Sequence, residues 1–294
     1  MVEHRLEQLL SLAITQRATD IHLHFSKQAV VVQFRTIKGL QRKNEEFVDE
    51  SLYHYLKYLA NLDLTSTLVP QSGSFSYIVN EIEYYCRFSA LETLFIKSGV
   101  IRILNLALIE NVHQLGEPKD ILKALGQQFR QKSGLILFAG KTGSGKTTSM
   151  FTALQQCQHQ SIYTIEDPIE MHYDAFMQVQ INLKTGLTYE AVVKQLLRHD
   201  PDILALGEIR SAQEAKALIR CSLAGHLVCS TIHSANLHST FARLLDFEVS
   251  IYDLMMLDIT LVYQHLKVKE DHRYAHFQLL GNTEIQAYLQ TLTR

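Results

Sequence analysis

Hydrophobic side chains recur at two different spacings within the first hundred residues of the chain. Residues 3–18 place apolar side chains at intervals of three and four, which predicts an amphipathic helix. A second helix is predicted for residues 48–63. Short apolar or alternating segments predict strands at DIHLHF, AVVVQFRT, SFSYIVN, EIEYYCRFSAL and SGVIRILNLAL. Together these elements predict a small α+β domain over residues 1–108.

The hydrophobic pattern changes after residue 108. Residues 109–118 are mostly polar, lack periodicity and end in Gly116-Glu117-Pro118, so we predict an interdomain linker and hinge there. From Lys119 onward, short apolar strands alternate with helices, which predicts a parallel sheet covered by helices on both faces. The expected fold is therefore α/β, with the second domain over residues 119–294 and a smaller α+β domain before it.

A glycine-rich segment lies between a predicted strand, LILFA, and a predicted helix, TTSMFTALQQC. Residues 140–147 read GKTGSGKT, which matches the P-loop pattern G-x-x-x-x-G-K-[ST] in its required context. Glycines let backbone N–H groups converge on phosphate oxygens at a helix N-terminus. We expect Lys146 to reach the β- and γ-phosphates of ATP and Thr147 to bind Mg²⁺. The predicted nucleotide-binding residues are Gly140, Lys141, Thr142, Gly143, Ser144, Gly145, Lys146, Thr147 and Thr148.

Two glutamates follow predicted buried strands in the second domain. Glu208 comes directly after ILALG, and Glu166 comes directly after SIYTI. Ligands of open α/β sheets bind at the carboxyl ends of the strands, so the two acids are expected to converge on one Mg–nucleotide. One acid would hold the metal and the other would orient or deprotonate the attacking water. On spacing alone, Glu166 fits equally well in an acidic loop with a turn at Asp167-Pro168.

Composition narrows the class of protein and its compartment. The 294 residues are 47% hydrophobic and 20% charged, as in soluble globular proteins, and the net charge of −2 gives no general basic field for nucleic acid. The four cysteines form no C-x-x-C pair, which argues against disulfides and a cysteine zinc site. The sequence shows no apolar run of about 18 residues and no signal peptide at its start, so we expect a cytoplasmic protein.

Five segments in order resemble motifs of the ATPases that drive type II secretion and type IV pili. TIEDPIE resembles their aspartate box, LLRHDPDILALGEIRS their Walker B segment and LAGHLVCSTIHSAN their histidine box. ATDIHLHF and PQSGSF resemble hallmarks of their N-terminal domain. The resemblance implies a RecA-like P-loop NTPase domain behind a PAS-like N-terminal domain. It also implies ATP and Mg²⁺ as cofactors and a homohexameric ring. The ring would be held peripherally at the cytoplasmic face of the membrane by a platform protein.

The resemblance also implies roles for single residues. Glu208 would serve the metal together with Thr147, and Glu166 would be the base that activates water. His226 and His233 would lie near the γ-phosphate and the subunit interface. With the P-loop Lys146, these residues form the predicted catalytic set.

Two arginines of the N-terminal domain complete that set. Arg87 and Arg102 resemble the family's arginines that swing onto the nucleotide when the domains close, a task that suits a permanently charged guanidinium. An ordinary cross-strand ion pair with Glu81 or Glu83 is the alternative.

Other polar residues receive structural interpretations. His22 and His24 are expected on the polar face of their strand, because the residues between and beside them are apolar. Arg198 and Arg210 flank the Walker B strand and are second-rank candidates. Either could pair with a neighbouring acid: Asp200, Asp202 or Glu214.

Departures from the family pattern point to a subfamily. The tetracysteine insertion of type II secretion members and the C-terminal signature of retraction motors are not found. Gln264-His265-Leu266 stands where the family has Gln-Arg-Leu, and His233-Ser234-Ala235 where it often has His-Thr-Asn. With its two predicted domains, this chain most resembles the ATPases of competence pili, which serve DNA uptake.

Three alternative functions remain open. They are the ATPase of another type IV pilus or type II secretion system, a nucleic-acid translocase, and a scaffold that uses nucleotide only as a switch. No direct contact with nucleic acid is expected.

Overall fold

A computed structural model describes residues 2–27, 29–43, 45, 47–65, 68–104, 114–157, 159–269 and 272–293. The chain divides into two compact units, Met1–Leu108 and Ile109–Arg294. In the described part of the chain, no helix combines the length and the apolar composition that crossing a membrane requires.

The first unit is an antiparallel sheet with two helices. Its elements are α1 (Val2–Thr15), β1 (Asp20–Ser26), β2 (Val30–Thr36), β3 (Gly39–Lys43), α2 (Glu50–Leu59), β4 (Gln71–Val79), β5 (Ile82–Glu92) and β6 (Ile96–Ile103). The strand order is β3-β2-β1-β6-β5-β4, and every neighbouring pair is antiparallel. One core joins the two helices to one face of this sheet. The predicted α+β character of this region is confirmed.

Local sequence explains the boundaries of these elements. The first helix ends at Thr15, earlier than predicted, because Arg17 adopts a left-handed φ of 52° that no α-helix continues. The second helix begins where the Asp49 carboxylate caps the N–H groups of Ser51 and Leu52. Strand β3 was not predicted, since its GLQRK sequence has only one apolar side chain.

The second unit is a mixed sheet covered by helices. Its strands are β7 (Gly116–Glu117), β8 (Gly134–Gly140), β9 (Ile162–Glu166), β10 (Met177–Gln180), β11 (Ile203–Ile209), β12 (Leu227–His233), β13 (Ile259–Lys269) and β14 (His272–Leu280). Its helices are α3 (Lys119–Gln128), α4 (Lys146–Leu154), α5 (Tyr189–Leu196), α6 (Ala212–Leu223), α7 (Leu237–Asp246), α8 (Ile251–Met255) and α9 (Asn282–Leu292). The strand order is β10-β9-β11-β12-β8-β13-β14-β7.

Both faces of this sheet are buried. Every residue of β8 is buried, as expected for a central parallel strand. Its Leu135 and Leu137 belong to a core with α5 to α9, whereas Ile136 and Phe138 belong to another core with α3 and α4. The prediction of helices on both faces is confirmed. The predicted parallel pairing holds for the six strands from β10 to β13 in the sheet order, and the sheet is mixed overall because β13 and β14 form an antiparallel pair.

The predicted linker is only partly described. Residues 109–113 lie outside the described residues, whereas Gly116 and Glu117 pair with Ala275 and His276 at the edge of the second sheet. A Cβ atom on Gly116 would lie 1.7 Å from the Ala275 carbonyl oxygen, so this pairing requires glycine. Residues 116 and 117 therefore belong to the sheet of the second unit.

Candidate nucleotide-binding site

Four neighbouring parallel strands end at one edge of the second sheet. Strand β8 leads into the P-loop, β9 ends at Glu166, β11 carries Glu208 next to its last residue, and β12 ends at His233. The strands lie side by side in the order β9-β11-β12-β8. Their register aligns His233 with Gly140. The sheet thus brings together groups that are far apart in the sequence.

The P-loop backbone leaves no room for side chains at its first glycine. A Cβ atom on Gly140 would lie 2.4 Å from the Gln264 carbonyl oxygen and 2.6 Å from Ser144 Oγ. Gly143 and Gly145 adopt left-handed φ values of 73° and 84°, which glycine tolerates best. Gly145 is also the N-cap residue of α4, so backbone N–H groups at this helix N-terminus suit an anion.

Gln264 supports the P-loop from β13. Its side chain is fully buried, and its Nε2 donates a hydrogen bond of 2.6 Å to the Ser144 carbonyl oxygen. In the sequence, this segment was noted only because His265 replaces the arginine of the family's Gln-Arg-Leu pattern. The His265 side chain is exposed. The supporting role of Gln264 was not predicted, because it depends on β13 lying next to β8.

Lys146 is buried at the start of α4. Its Nζ donates to the Lys141 carbonyl oxygen at 3.1 Å and lies 3.4 Å from His233 Nδ1. Burial lowers the pKa of the Lys146 ammonium group, and the Glu208 charge opposes this effect. The Lys146 ammonium group thus lies within the electrostatic range of the Glu208 carboxylate on β11.

A β-bulge places Glu208. Between the paired residues Leu206 and Ile209 the register with β12 shifts, so Gly207 and Glu208 lie across from Thr231. The Thr231 hydroxyl donates to the Gly207 carbonyl oxygen at 2.8 Å and thereby fixes the bulge. An extra residue in a strand turns the following side chain, and here it turns Glu208 into the cleft described below.

Both carboxylate oxygens of Glu208 have partners. Oε2 accepts from Arg210 Nε at 2.7 Å, and Oε1 lies 2.7 Å from His233 Nε2. Arg210 was a second-rank candidate for the site, and Asp200, Asp202 and Glu214 were named as alternative partners. Its side chain instead pairs with Glu208, while its backbone N–H donates to Glu214.

His233 connects this carboxylate to the P-loop. Burial and the Lys146 charge lower the pKa of His233, and Glu208 raises it. Lys146 can only donate hydrogen bonds, so Nδ1 of a neutral His233 must be the acceptor, and Nε2–H donates to Glu208. The Thr142 hydroxyl also lies 3.3 Å from Nδ1. His233 therefore contacts two P-loop residues and the Walker B glutamate.

Glu166 is buried, and it lines a cleft together with Thr147 and Glu208. Burial raises the pKa of Glu166, while hydrogen bonds from Thr164 and Gln178 lower it. The remaining residues that line this cleft are Asp167, Pro168, Glu170, Tyr189, Gly207 and Arg210. A carboxylate beside the Thr147 hydroxyl and a second carboxylate offers the oxygen ligands that Mg²⁺ prefers. The glycine cradle, the buried Lys146 and these oxygens together fit Mg–ATP.

His226 does not join this group. It directly precedes β12, whose first residue, Leu227, is aligned with Gly134 at the start of β8. Its Nδ1 lies 3.3 Å from the Pro201 carbonyl oxygen. His226 thus lies at the strand ends opposite the P-loop. Both histidines were expected near the γ-phosphate and the subunit interface, and within this chain only His233 of the two lies beside the P-loop. Arg198 is exposed in the segment between α5 and β11. Like His226, it precedes the strand that follows it and therefore lies away from the P-loop.

Arg87 and Arg102 face each other on β5 and β6 of the first unit. Arg102 Nε donates to Asp20 Oδ1 at 2.8 Å, and Arg87 Nε donates to Ser72 Oγ at 3.2 Å. The alternative to the catalytic role was an ion pair with Glu81 or Glu83. Arg102 does form an ion pair, but its partner is Asp20, a buried residue of β1. His22 and His24 are half-buried between buried apolar neighbours on β1, as predicted.

The fold and the site define a P-loop ATPase with a RecA-like domain. The chain belongs to the family described as Type II/IV secretion system protein, which matches residues 1–286. Competence protein ComGA of Bacillus subtilis (strain 168) is 32% identical over 270 residues, which cover 90% of this chain and 76% of that protein. Competence protein ComGA of Halalkalibacterium halodurans is 36% identical over 272 residues, covering 90% and 78%.

A solved structure of the pilus retraction motor PilT with bound ADP has the same fold. The TM-score is 0.71 at 23% identity, and the alignment covers 98% of this chain and 88% of that chain. At 23% identity, this structural similarity supports the fold of the chain and nothing beyond the fold.

Proposed function

We propose that this protein is an ATP-hydrolysing motor that powers assembly of a competence-type pilus for DNA uptake. The observation that carries the proposal is the cleft that brings Thr147, Glu166 and Glu208 together beside the P-loop. A buried carboxylate in this cleft is suited to orient the attacking water and to accept its proton, which supports hydrolysis over nucleotide binding alone.

Each residue of the cleft has a role in this proposal. The P-loop glycines admit the phosphates, and Lys146 stabilises the negative charge on the transferred phosphoryl group. Thr147 and Glu208 would hold Mg²⁺, which when bound would neutralise charge on the phosphate oxygens. Glu166 orients the attacking water and accepts its proton.

The N-terminal unit contributes arginines in this proposal. Arg87 and Arg102 reach the phosphates when the domains close. The hinge of this movement precedes Gly116, because Gly116 and Glu117 are fixed in the second sheet, which corrects the prediction of a hinge that includes Gly116-Glu117-Pro118. Arginines that arrive in this way couple hydrolysis to movement, because they bind phosphate only in the closed arrangement.

The wider machine is proposed from the relatives. Two proteins that are 32% and 36% identical to this chain over 90% of its length are named competence proteins. We accordingly propose a homohexamer that works on the cytoplasmic face of the membrane. A membrane platform protein of the pilus would be its partner, and contact with the membrane would occur through that partner.

Two measurements test the proposal. Purified protein should hydrolyse ATP in Mg²⁺ and lose this activity in EDTA, and Lys146→Ala should lower turnover by at least about 10³-fold. In the source organism, DNA uptake and pilus assembly should be lost on deletion of the gene and restored by the wild type but not by Lys146→Ala. Wild-type turnover in Lys146→Ala would overturn the ATPase assignment, and DNA uptake unchanged by the deletion would overturn the pilus assignment.

A further inference from the structure

Two side chains donate hydrogen bonds to the same oxygen of Glu166. The Thr164 hydroxyl lies 2.6 Å from Oε1, and Gln178 Nε2 lies 2.9 Å from it. An sp² carboxylate oxygen has two lone pairs, and here both are directed at donors. The Glu170 backbone N–H is a third donor to this carboxylate. Because one N–H occupies only one lone pair, the other oxygen of Glu166 keeps a lone pair that can take a proton from water.

The register of β9 and β10 produces this arrangement. The strands are parallel, and Gln178 is aligned with Thr164 while Gln180 is aligned with Glu166. Side chains two residues apart on a strand share a face, so these four side chains lie on one face of the sheet. Gln178 reaches Glu166 diagonally across the strand pair, whereas the Gln180 side-chain oxygen accepts from the Ile169 N–H at 3.2 Å.

The amide of Gln178 is itself fixed by the loop that follows Glu166. Its Oε1 accepts from the Tyr173 N–H at 2.8 Å, and its Nε2 also donates to the Met171 carbonyl oxygen at 2.8 Å. A backbone N–H can only donate and a carbonyl oxygen can only accept, so the orientation of the amide is determined. A rotated amide would lose three hydrogen bonds, which makes Gln178 a rigid donor to Glu166.

We propose that Gln178, supported by Thr164, is a positioning residue that selects which oxygen of Glu166 receives the proton of the attacking water. This inference rests on the proposed role of Glu166 as the base. The two donors also favour the carboxylate over the protonated acid, since they bind the charged form more strongly. A base in a buried site requires such donors in order to stay ionised.

The Gln178→Leu variant tests the proposal, and Gln180→Leu is its matched control. Both glutamines lie on β10 next to Glu166 and both hold the loop after it. Of the two, Gln178 is the one whose amide donates a hydrogen bond to the Glu166 carboxylate, whereas the Gln180 amide oxygen accepts from Ile169. We expect Gln178→Leu to lower kcat by about 10- to 100-fold, as misplacement of a reacting group does. We expect KM, the Kd of a non-hydrolysable ATP analogue and the thermal unfolding temperature to remain close to wild type. Gln180→Leu should keep kcat within about twofold of wild type.

A second pair of variants keeps the test decisive if Gln178→Leu misfolds. Thr164→Val removes the hydroxyl with little change of shape and should lower kcat in the same way as Gln178→Leu. Thr164→Ser retains the hydroxyl and should keep kcat close to that of the wild type. Equal losses in Gln178→Leu and Gln180→Leu, or a loss confined to KM, would overturn the proposal. If Glu166→Gln is inactive and Gln178→Leu is fully active, the role of Gln178 is contradicted and the proposed function stands. If Glu166→Gln is fully active, the proposed function itself is contradicted.

Discussion

Nε2 of His233 lies 2.7 Å from Oε1 of Glu208, at the ends of two neighbouring strands. The same imidazole lies 3.4 Å from the Lys146 ammonium nitrogen on its other side. His233 thus forms a continuous polar connection between the group proposed to hold the metal and the group proposed to hold the phosphates. A movement of Glu208 or of Lys146 would therefore change the position of the His233 side chain that both of them contact.

The first prediction follows from this connection. His233→Ala should weaken Mg²⁺-dependent nucleotide binding by about 10-fold, because partners of metal ligands typically contribute that much to affinity. Titration of a fluorescent ATP analogue at several Mg²⁺ concentrations measures the effect. His226→Ala is the matched control, since His226 lies at the opposite edge of the sheet, and its Mg²⁺ dependence should be unchanged. Equal effects of the two substitutions would contradict this account.

The second prediction concerns pH. Burial raises the pKa of Glu166, and a base must be deprotonated to act. Activity should therefore be lost as pH falls, and the acidic limb of kcat should lie above the ordinary glutamate pKa of about 4.3. Steady-state turnover between neutral and acidic pH tests this, with thermal unfolding at each pH as the control for stability. A kcat that stays constant down to the ordinary glutamate range would be incompatible with Glu166 as the base.

The third prediction compares two glycines. Gly140→Ala should lower stability by about 1–3 kcal/mol and impair nucleotide binding, because the added Cβ would overlap Gln264 and Ser144 atoms. Gly126→Ala in α3 meets no atom within 4 Å and should raise stability by about 0.5–1 kcal/mol. Thermal unfolding and nucleotide titration measure both effects. A stable Gly140→Ala that binds ATP normally would show that the P-loop tolerates a side chain there.

The fourth prediction concerns the arginines of the first unit. Arg87→Ala and Arg102→Ala should each lower turnover, by up to about 10³-fold, while nucleotide stays bound. Arg35→Ala is the matched control, since Arg35 is aligned with Asp20 as Arg102 is but has no proposed catalytic role. If Arg102 serves only its ion pair with Asp20, Arg102→Ala and Asp20→Asn should lower the unfolding temperature equally and leave turnover intact.

The sequence predicted those parts of the site that are local in the chain. The P-loop was identified from its spacing and flanking elements. Glu166 and Glu208 were identified from their positions after buried strands together with the family resemblance, and the structure places all of them at one edge of the sheet. Gln178 and Gln264 were missed, because their contacts depend on which strands become neighbours. Sequence alone does not specify this order.

The placement of His226 could have been anticipated. His226 directly precedes strand β12, and His233 is the last of the seven residues of that strand. A strand rises about 3.3 Å per residue. The two histidines must therefore lie at opposite edges of the sheet. The family resemblance grouped them by motif, whereas strand geometry separates them.

The division of labour between Glu166 and Glu208 is the central claim of this account. The most direct measurement compares ATP turnover and Mg²⁺-dependent ATP affinity in Glu166→Gln and Glu208→Gln. Glu166→Gln should bind Mg–ATP like the wild type and fail to hydrolyse it, because an amide accepts no proton from water. Glu208→Gln should lose Mg²⁺-dependent affinity as well as turnover. Full turnover in Glu166→Gln, or equal Mg²⁺-dependent affinity in the two variants, would contradict the account.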